Sequence, residues 1–323
     1  MEQVACNLCG STQLTPVYQK PDARFFPDEV FTVVACNDCG LGFLNPRPTR
    51  AEIAKYYPRE YYQVPSHPPG ELPAFISRRN RGKLRFLQEL ERRSGPKKLL
   101  DVGCGNGDFA RFMLRRGWQL EAVEISENAA RITEFPVYNQ EFQDIPVNSP
   151  TYDAITLWAV LEHVHDPMAY FRKAAQVLKP DGRLVFLVHN FHSMASRYLF
   201  GEDIPRHLYF YTRETVAQYL QKNGLQLEYE VNGRSIYKMA PAYWLSYLIQ
   251  KRLRGKPFTF ADVPLSSREF RRVHGLSKGV GTSLKYLAYS PVSVIERILF
   301  PVVETVQILR KTYGVSTYVA RKA

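Results

Sequence analysis

The chain has 323 residues, which is long enough for more than one hydrophobic core, so we expect a main domain with a smaller additional module. A hydrophobic fraction of 45% and a charged fraction of 23% are typical of globular proteins and exclude a disordered chain. The sequence contains no uncharged apolar run of roughly 18 residues, and its start lacks the pattern of a secretory signal. We therefore expect a cytoplasmic protein without a membrane-spanning helix, in a reducing environment.

The formal net charge of +12 is unevenly distributed. Residues 236–323 contain fifteen Lys and Arg but only four acidic residues, a net charge of +11. The rest of the chain is nearly neutral, so the excess of positive charge needs a regional explanation.

Four of the five cysteines form two C-x-x-C pairs that are each followed by glycine: Cys6, Cys9, Cys36 and Cys39. Two such turns offer four thiolates to one tetrahedral zinc ion, although the segment between them is longer than the usual spacing. Redox dithiols or unrelated free cysteines are the alternatives. We predict a structural zinc-ribbon-like module over residues 1–45, with strands at Leu14–Gln19 and Val30–Ala35. A module of this size depends on its metal for folding.

Residues 46–96 are predicted to be a linker followed by a packing helix. The stretch from Pro58 to Pro73 is rich in proline and tyrosine. Apolar residues between Phe75 and Arg93 then recur at helical spacing.

From Lys97 onward, short apolar strands alternate with amphipathic helices, which predicts an α/β fold with a parallel sheet covered by helices on both faces. The predicted strands are Lys98–Val102, Gln119–Ile125, Pro136–Asn139, Ala154–Leu157, Arg183–Val188 and Leu225–Val231. The predicted helices are Asp108–Arg116, Pro167–Leu178 and Thr212–Lys222.

The first of these strands runs into the glycine-rich turn Gly103–Gly107, which allows a ligand to approach the backbone. A dinucleotide-binding fingerprint would have a third glycine at position 108, where this chain has Asp108. Asp101 precedes the turn, and Glu124 ends the second strand, where a carboxylate can bind ribose hydroxyls. A ligand with a ribose, a carboxylate and an ammonium group therefore fits better than NAD.

The segment LLDVGCGNGDFARFM resembles motif I of the class I S-adenosylmethionine-dependent methyltransferases of the methyltransferase-23 type, and residues 151–190 resemble their later motifs. The resemblance implies a Rossmann-like seven-stranded core at 97–235, completed by a last antiparallel strand at 313–323. It implies that S-adenosylmethionine is held by Asp101, Gly103, Cys104, Gly105, Gly107, Glu124 and Ile125. It also implies adenine contacts from Glu141, Phe142 or Asp144, with Leu157 and Trp158 next to the methyl group.

An oxygen acceptor of high pKa needs a base close to it. Three histidines are candidates: His207 is ranked first because it lies in a loop where acceptors often bind, and His163 and His165 follow. A structural role near the cofactor is the alternative for His163.

Residues 236–312 are predicted to form a basic helical insertion that the core fold does not need. Aromatic residues beside basic clusters suit a helix at a membrane interface, which would place the protein at the inner face of the membrane. They equally suit a lid over the active site or a dimer contact.

The cysteine pairs running into CGLGFLNPRPT also resemble methyltransferases that act on sugars, glycolipids and other secondary metabolites. We therefore predict a small-molecule acceptor of this class, and a phosphorylated or lipid-linked acceptor would explain the local charge. An RNA methyltransferase is the alternative enzyme, but the acidic cysteine module disfavours nucleic acid as a partner. A non-catalytic zinc-binding scaffold is the alternative outside the enzymes.

Overall fold

A computed structural model describes residues 1–22, 25–26, 28–58, 74–193, 196, 203–234, 236–237, 245 and 291–323. The strands are β1 (Leu14–Pro21), β2 (Val30–Cys36), β3 (Gly42–Leu44), β4 (Lys98–Val102), β5 (Gln119–Val123), β6 (Val137–Tyr138), β7 (Tyr152–Trp158), β8 (Leu178–His189), β9 (Tyr209–Phe210), β10 (Leu225–Asn232) and β11 (Val315–Lys322). The helices are α1 (Ala74–Leu84), α2 (Gln88–Glu91), α3 (Asp108–Leu114), α4 (Pro167–Val177), α5 (Arg213–Lys222) and α6 (Pro291–Leu309).

Seven strands form the main sheet in the order β10-β11-β8-β7-β4-β5-β6. The strands β4, β5, β6, β7 and β8 pair in parallel, whereas β11 is antiparallel to both of its neighbours. The central strands are continuous apolar runs because both faces of the sheet are covered: Ala154, Ile155 and Leu157 are all buried. This is the Rossmann-like architecture that the sequence predicts, with the predicted last antiparallel strand at its place.

Local sequence signals explain where the helices begin. The side chain of Asp166 accepts the amide hydrogen of Ala169 at the start of α4, and proline occupies the first helical position. Thr212 and Thr215 form a reciprocal capping box at the start of α5. Both helices therefore begin where the sequence predicts.

Three of the departures from the predicted elements concern β6, β8 and the helix that follows the linker. The third predicted strand shortens to β6, a pair of residues at the sheet edge. β8 begins at Leu178, earlier than predicted, because that residue pairs with Tyr152 before a register shift. The predicted helix at Phe75–Arg93 is interrupted by a 3-10 turn at Arg85–Leu87 between α1 and α2.

A second sheet of four strands, in the order β1-β2-β3-β9, joins the N-terminal residues to the main domain. β9 is contributed by the segment before α5, and the amide of Leu44 also donates to the carbonyl of Leu208 (3.0 Å). Apolar residues of the N-terminal sheet, such as Phe31 and Phe43, share one core with Phe171 of α4. The division at residue 45 stays a prediction.

Most of the predicted basic insertion lies outside the described residues, which include only 236–237, 245 and 291–312 of it. The last part of the insertion is the helix α6, which carries exposed apolar side chains such as Ile298 and Val302. The carboxylate of Glu304 on α6 accepts a hydrogen bond from Arg234 (3.1 Å). Among the described residues, no helix combines the length and the apolar composition that a bilayer crossing needs.

Candidate active site

The glycine-rich turn connects β4 to α3 through backbone conformations that favour glycine. Gly103, Gly105 and Gly107 have φ values of +67°, +57° and +75°. A Cβ atom at Gly103 would lie 2.5 Å from Cγ2 of Val160, so no side chain fits there. The turn therefore brings bare backbone to the carboxyl end of β4, where ligands of open α/β sheets bind.

Glu124 follows β5 and is nearly buried. One carboxylate oxygen accepts the amide hydrogen of Gly105 (2.7 Å), and the other accepts that of Ser126 (2.8 Å). The carboxylate thereby ties the glycine turn to the end of β5. A carboxylate has about four acceptor positions, so it can still accept hydrogen bonds from a ligand.

Asp101 is buried at the start of the turn and accepts a hydrogen bond from the hydroxyl of Thr156 (2.6 Å). Burial raises its pKa to about 6, against the opposing effect of the Lys83 ammonium group. Burial likewise lowers the pKa of Lys83 to about 8, and the charge of Asp101 opposes this shift. A carboxylate and an ammonium group thus lie beside the glycine turn. Lys83 was not among the predicted site residues, because its helical neighbours look like an ordinary basic surface.

A cavity of about 530 Å³ opens beside the turn. Its volume is in the usual range for small-molecule sites. Six of the predicted site residues line it: Gly103, Glu124, Ile125, Glu141, His163 and His165. Residues from the predicted linker also line it, including Arg50 and Tyr57. They were not among the predicted site residues, and nothing in the pattern of that segment marks them.

The other predicted cofactor residues lie off the cavity wall: Asp101, Cys104, Gly105, Gly107, Phe142, Asp144, Leu157 and Trp158. Phe142 is fully buried and packs edge-on against Tyr170, so its ring belongs to the core and not to the cavity. Asp144 is exposed. Glu141 alone of the three adenine candidates reaches the cavity, and its carboxylate accepts hydrogen bonds from Arg50 (2.9 Å) and Tyr170 (2.6 Å).

Leu157 and Trp158 form the buried end of β7. The Trp158 ring packs edge-on against Phe109 at 5.4 Å, and the ammonium group of Lys83 lies 5.0 Å from its centroid. The next two residues, Ala159 and Val160, line the cavity, whereas Leu157 and Trp158, which were predicted to lie next to the methyl group, do not.

Three histidine rings pack together beside the cavity. The ring of His207 lies 4.6 Å from that of His163 and 4.5 Å from that of His189, measured between centroids. His163 is half-buried and lines the cavity, whereas His207 is buried behind it. The structure thus places His163 closer to a cavity ligand than His207, the residue that the sequence analysis ranked first as a base.

Hydrogen bonds define which nitrogen of His163 is available. Its Nδ1 lies 3.2 Å from the carbonyl oxygen of Arg206 and 3.0 Å from the hydroxyl of Tyr57. Because a carbonyl only accepts, the hydrogen bond to Arg206 forms in the tautomer that carries the hydrogen on Nδ1 and keeps the lone pair on Nε2. Burial is the main cause that lowers the pKa of His163.

His165 also lines the cavity, but its ring is bonded differently. Its Nε2 donates to the carbonyl oxygen of Pro48 (3.1 Å), which leaves Nδ1 as the acceptor. Burial lowers its pKa as well.

The four paired cysteines form a second cluster, in the N-terminal sheet. The Sγ atoms of Cys6 and Cys39 are 3.4 Å apart, those of Cys9 and Cys36 are 3.5 Å apart, and all four lie within 4.8 Å of one another. A tetrahedral zinc ion with Zn–S bonds of about 2.3 Å separates its ligands by about 3.8 Å. The separations therefore fit one tetrahedral ion and are too long for disulfide bonds.

Parts of the chain are similar to known methyltransferases. The model of a methyltransferase domain family matches residues 75–230. A ubiquinone biosynthesis O-methyltransferase of Acinetobacter baylyi is 28% identical over 187 residues, which cover 51% of this chain and 77% of that protein. The enzyme of the same name from Alkalilimnicola ehrlichii is 32% identical over 104 residues, which cover 29% of this chain and 42% of that protein.

Among solved structures, a geranyl diphosphate C-methyltransferase from Streptomyces coelicolor A3(2) is similar, with a TM-score of 0.46 and 16% identity. The match covers 86% of this chain and 89% of that one. The strand order with β11 antiparallel, the glycine turn beside Glu124 and the family match all point to the same chemistry. Residues 75–230 are similar to a methyltransferase domain, and the chain is an S-adenosylmethionine-dependent methyltransferase with a small-molecule acceptor.

Proposed function

We propose that this methyltransferase methylates a hydroxyl group of a glycan, a glycolipid or a related biosynthetic intermediate. The observation that carries the proposal is the composition of the cavity wall. One part of the wall consists of the Gly103 backbone and the Glu124 carboxylate, and another part consists of Tyr57, His163 and His165. A hydroxyl has a high pKa and needs help to lose its proton, whereas an amine acceptor needs less. A wall with several imidazole groups suits such an acceptor.

The residues around the glycine turn would hold the cofactor. Asp101 and Lys83 match the ammonium and carboxylate groups of its methionine part, and Glu124 matches the ribose hydroxyls. Ile125 and Glu141 are the remaining candidates on the side of the adenine. S-adenosylmethionine supplies an electrophilic methyl group, so the protein mainly has to align the acceptor and exclude water.

The acceptor proton would leave toward the histidine cluster. His163 offers the Nε2 lone pair to the cavity, because its Nδ1–H is bonded to the Arg206 carbonyl. His207 supports it from behind through ring contact. His165 is the second candidate, since it lines the same cavity.

The cysteine cluster would bind a structural zinc ion. Its four thiolates leave no coordination position for a substrate. The module that it stabilises also contributes to the acceptor side of the site, because β3 pairs with β9 directly after His207.

The basic insertion would contact the acceptor's phosphate or lipid part. Residues 236–323 hold a net charge of +11, which suits a phosphorylated or lipid-linked acceptor at a membrane surface. Most of the residues concerned lie outside the described part of the chain.

A labelled-methyl transfer assay tests the function. The purified chain is incubated with labelled S-adenosylmethionine and with cell extracts separated into lipid, nucleotide-sugar and RNA fractions. We expect label in the lipid or the nucleotide-sugar fraction, and label only in RNA would contradict the proposal.

Two variants test the role of the histidine cluster in the same assay. His163→Asn and His207→Ala should lose turnover and keep affinity for S-adenosylmethionine, measured by calorimetry. The exposed His192 provides the matched control, and His192→Ala should behave as the wild type. Unchanged turnover in both cluster variants would remove these histidines from the mechanism.

A further inference from the structure

A buried carboxylate, that of Glu162, lies next to the histidine cluster. Glu162 is fully buried, and neither of its carboxylate oxygens has a hydrogen-bond partner among the described residues. Nδ1 of His189 lies 3.3 Å from one of these oxygens, in a geometry that makes no hydrogen bond. An ionised carboxylate in this position is costly unless a cation accompanies it, and a missing ion is one of the usual reasons for such a group.

The neighbours of Glu162 are metal-ligating side chains. A carboxylate oxygen of Glu162 and one ring nitrogen each of His163 and His207 all lie within 4.8 Å of one another. Ligands of a tetrahedral ion with bonds of about 2.0–2.1 Å are separated by about 3.4 Å, so a small inward movement brings the three atoms to a common centre. Two histidines and one carboxylate are a donor set that zinc and other divalent transition metals prefer.

One of the two histidines, His163, has the support that a metal-bound histidine usually has. Such a histidine donates its second ring N–H to a carbonyl or a carboxylate. Nδ1 of His163 is placed in this way against the carbonyl of Arg206, which leaves Nε2 for a metal. His207 accepts the amide hydrogen of Asp203 at Nδ1 over a long 3.3 Å, so binding through Nε2 would shift its proton to Nδ1 and give up this weak contact.

We propose that Glu162, His163 and His207 bind one divalent transition-metal ion beside the cavity. The site is distinct from the four-cysteine cluster in both position and ligand chemistry. Three protein ligands leave one tetrahedral position open, and His163 lies on the cavity wall, so the open position can face the cavity. If the proposed function holds, this position accepts the acceptor hydroxyl and lowers its pKa, in place of a free imidazole.

Metal content and cobalt spectra test the site without reference to turnover. The full-length protein is prepared with Co²⁺, and bound metal is counted by elemental analysis. We expect two ions per chain: one with intense thiolate charge-transfer bands from the cysteine cluster, and one with only weak visible bands, as expected for nitrogen and oxygen ligands. A single ion with thiolate bands in the wild type would overturn the proposal.

The variants Glu162→Gln and His207→Asn should each bind only the thiolate-bound ion. That ion also reports that the N-terminal module remains folded, which separates loss of the second site from loss of the fold. His192→Asn is the matched control and should keep both ions. Two ions in Glu162→Gln would contradict the assignment of Glu162 as a ligand.

The metal site and the proposed function fail in different ways. If the wild-type protein binds two ions but transfers no methyl group to any lipid or nucleotide-sugar fraction, the proposed metal site stands and the proposed acceptor class is wrong. If the wild-type protein lacks the second ion but still methylates such an acceptor, the proposed metal site is wrong and the proposed function stands.

Discussion

The buried ion pair between Asp22 and Arg206 joins the N-terminal sheet to the segment that carries His207. The two groups are almost fully buried, and they form a bidentate pair with nitrogen–oxygen distances of 2.9 and 3.0 Å. Arg206 also contacts Asp203 (2.9 Å) and donates to the carbonyl of Tyr56 (2.9 Å). We predict that Asp22→Asn strongly destabilises the protein, since it leaves a buried guanidinium without its main counter-charge.

The size of the effect follows from the burial of the pair. Removal of one partner of a buried ion pair costs about 3–5 kcal/mol. Asp203 still compensates part of the guanidinium charge, so we expect a loss of about 3 kcal/mol in the free energy of unfolding. An exposed ion pair is worth only about 0–1 kcal/mol. The matched control is Glu134→Gln, because Glu134 is 43% exposed in its contact with Arg111.

Equilibrium unfolding in urea measures both changes. A double variant in which Asp22 becomes Leu and Arg206 becomes Met should recover much of the stability, because apolar replacement of a whole buried pair is often neutral. Calorimetry should show that S-adenosylmethionine affinity of folded Asp22→Asn is retained, since neither residue lies at the glycine turn. If the free energy of unfolding of Asp22→Asn lies within about 1 kcal/mol of the wild-type value, which is the range of an exposed pair, the pair does not hold the two sheets together.

Three further changes test the cofactor side and the cysteine cluster. Gly103→Ala should weaken S-adenosylmethionine binding at least about tenfold, and the additional change Val160→Ala should restore part of the affinity. Gly117 has a similar φ but no neighbour that a Cβ atom would meet, so Gly117→Ala should leave the binding unchanged. Glu124→Gln should weaken the same binding by about 1.5–3 kcal/mol in calorimetry, because an amide accepts through only one of its two ends. Cys9→Ser should lower the zinc content and the unfolding temperature together, and retention of full zinc would contradict a four-thiolate site.

The strands and helices of the main domain could be predicted because their signals are local. The strand at Lys98–Val102 has the predicted bounds, and α4 and α5 begin beside their capping residues. The third strand was less predictable. β6 pairs only at the sheet edge, so its two residues need no long apolar run.

The cofactor side was predictable for the same reason. Gly103 and Glu124 lie about twenty residues apart, at the ends of the adjacent parallel strands β4 and β5. Their spacing along the chain therefore maps directly onto their spacing in the fold. Lys83 escaped notice because it reaches this region from α1, through packing that no spacing rule describes.

The acceptor side depends on contacts between distant parts of the chain, which explains why sequence patterns did not reveal it. Tyr57 meets His163 across 106 positions, and His163 meets His207 across 44. What brings them together is the pairing of β3 with β9 and the buried contact of Arg206, neither of which has a periodic signal. The same N-terminal sheet thus carries the cysteine cluster and supports the histidine cluster. Loss of the cysteine-bound metal should therefore impair turnover before it impairs cofactor binding.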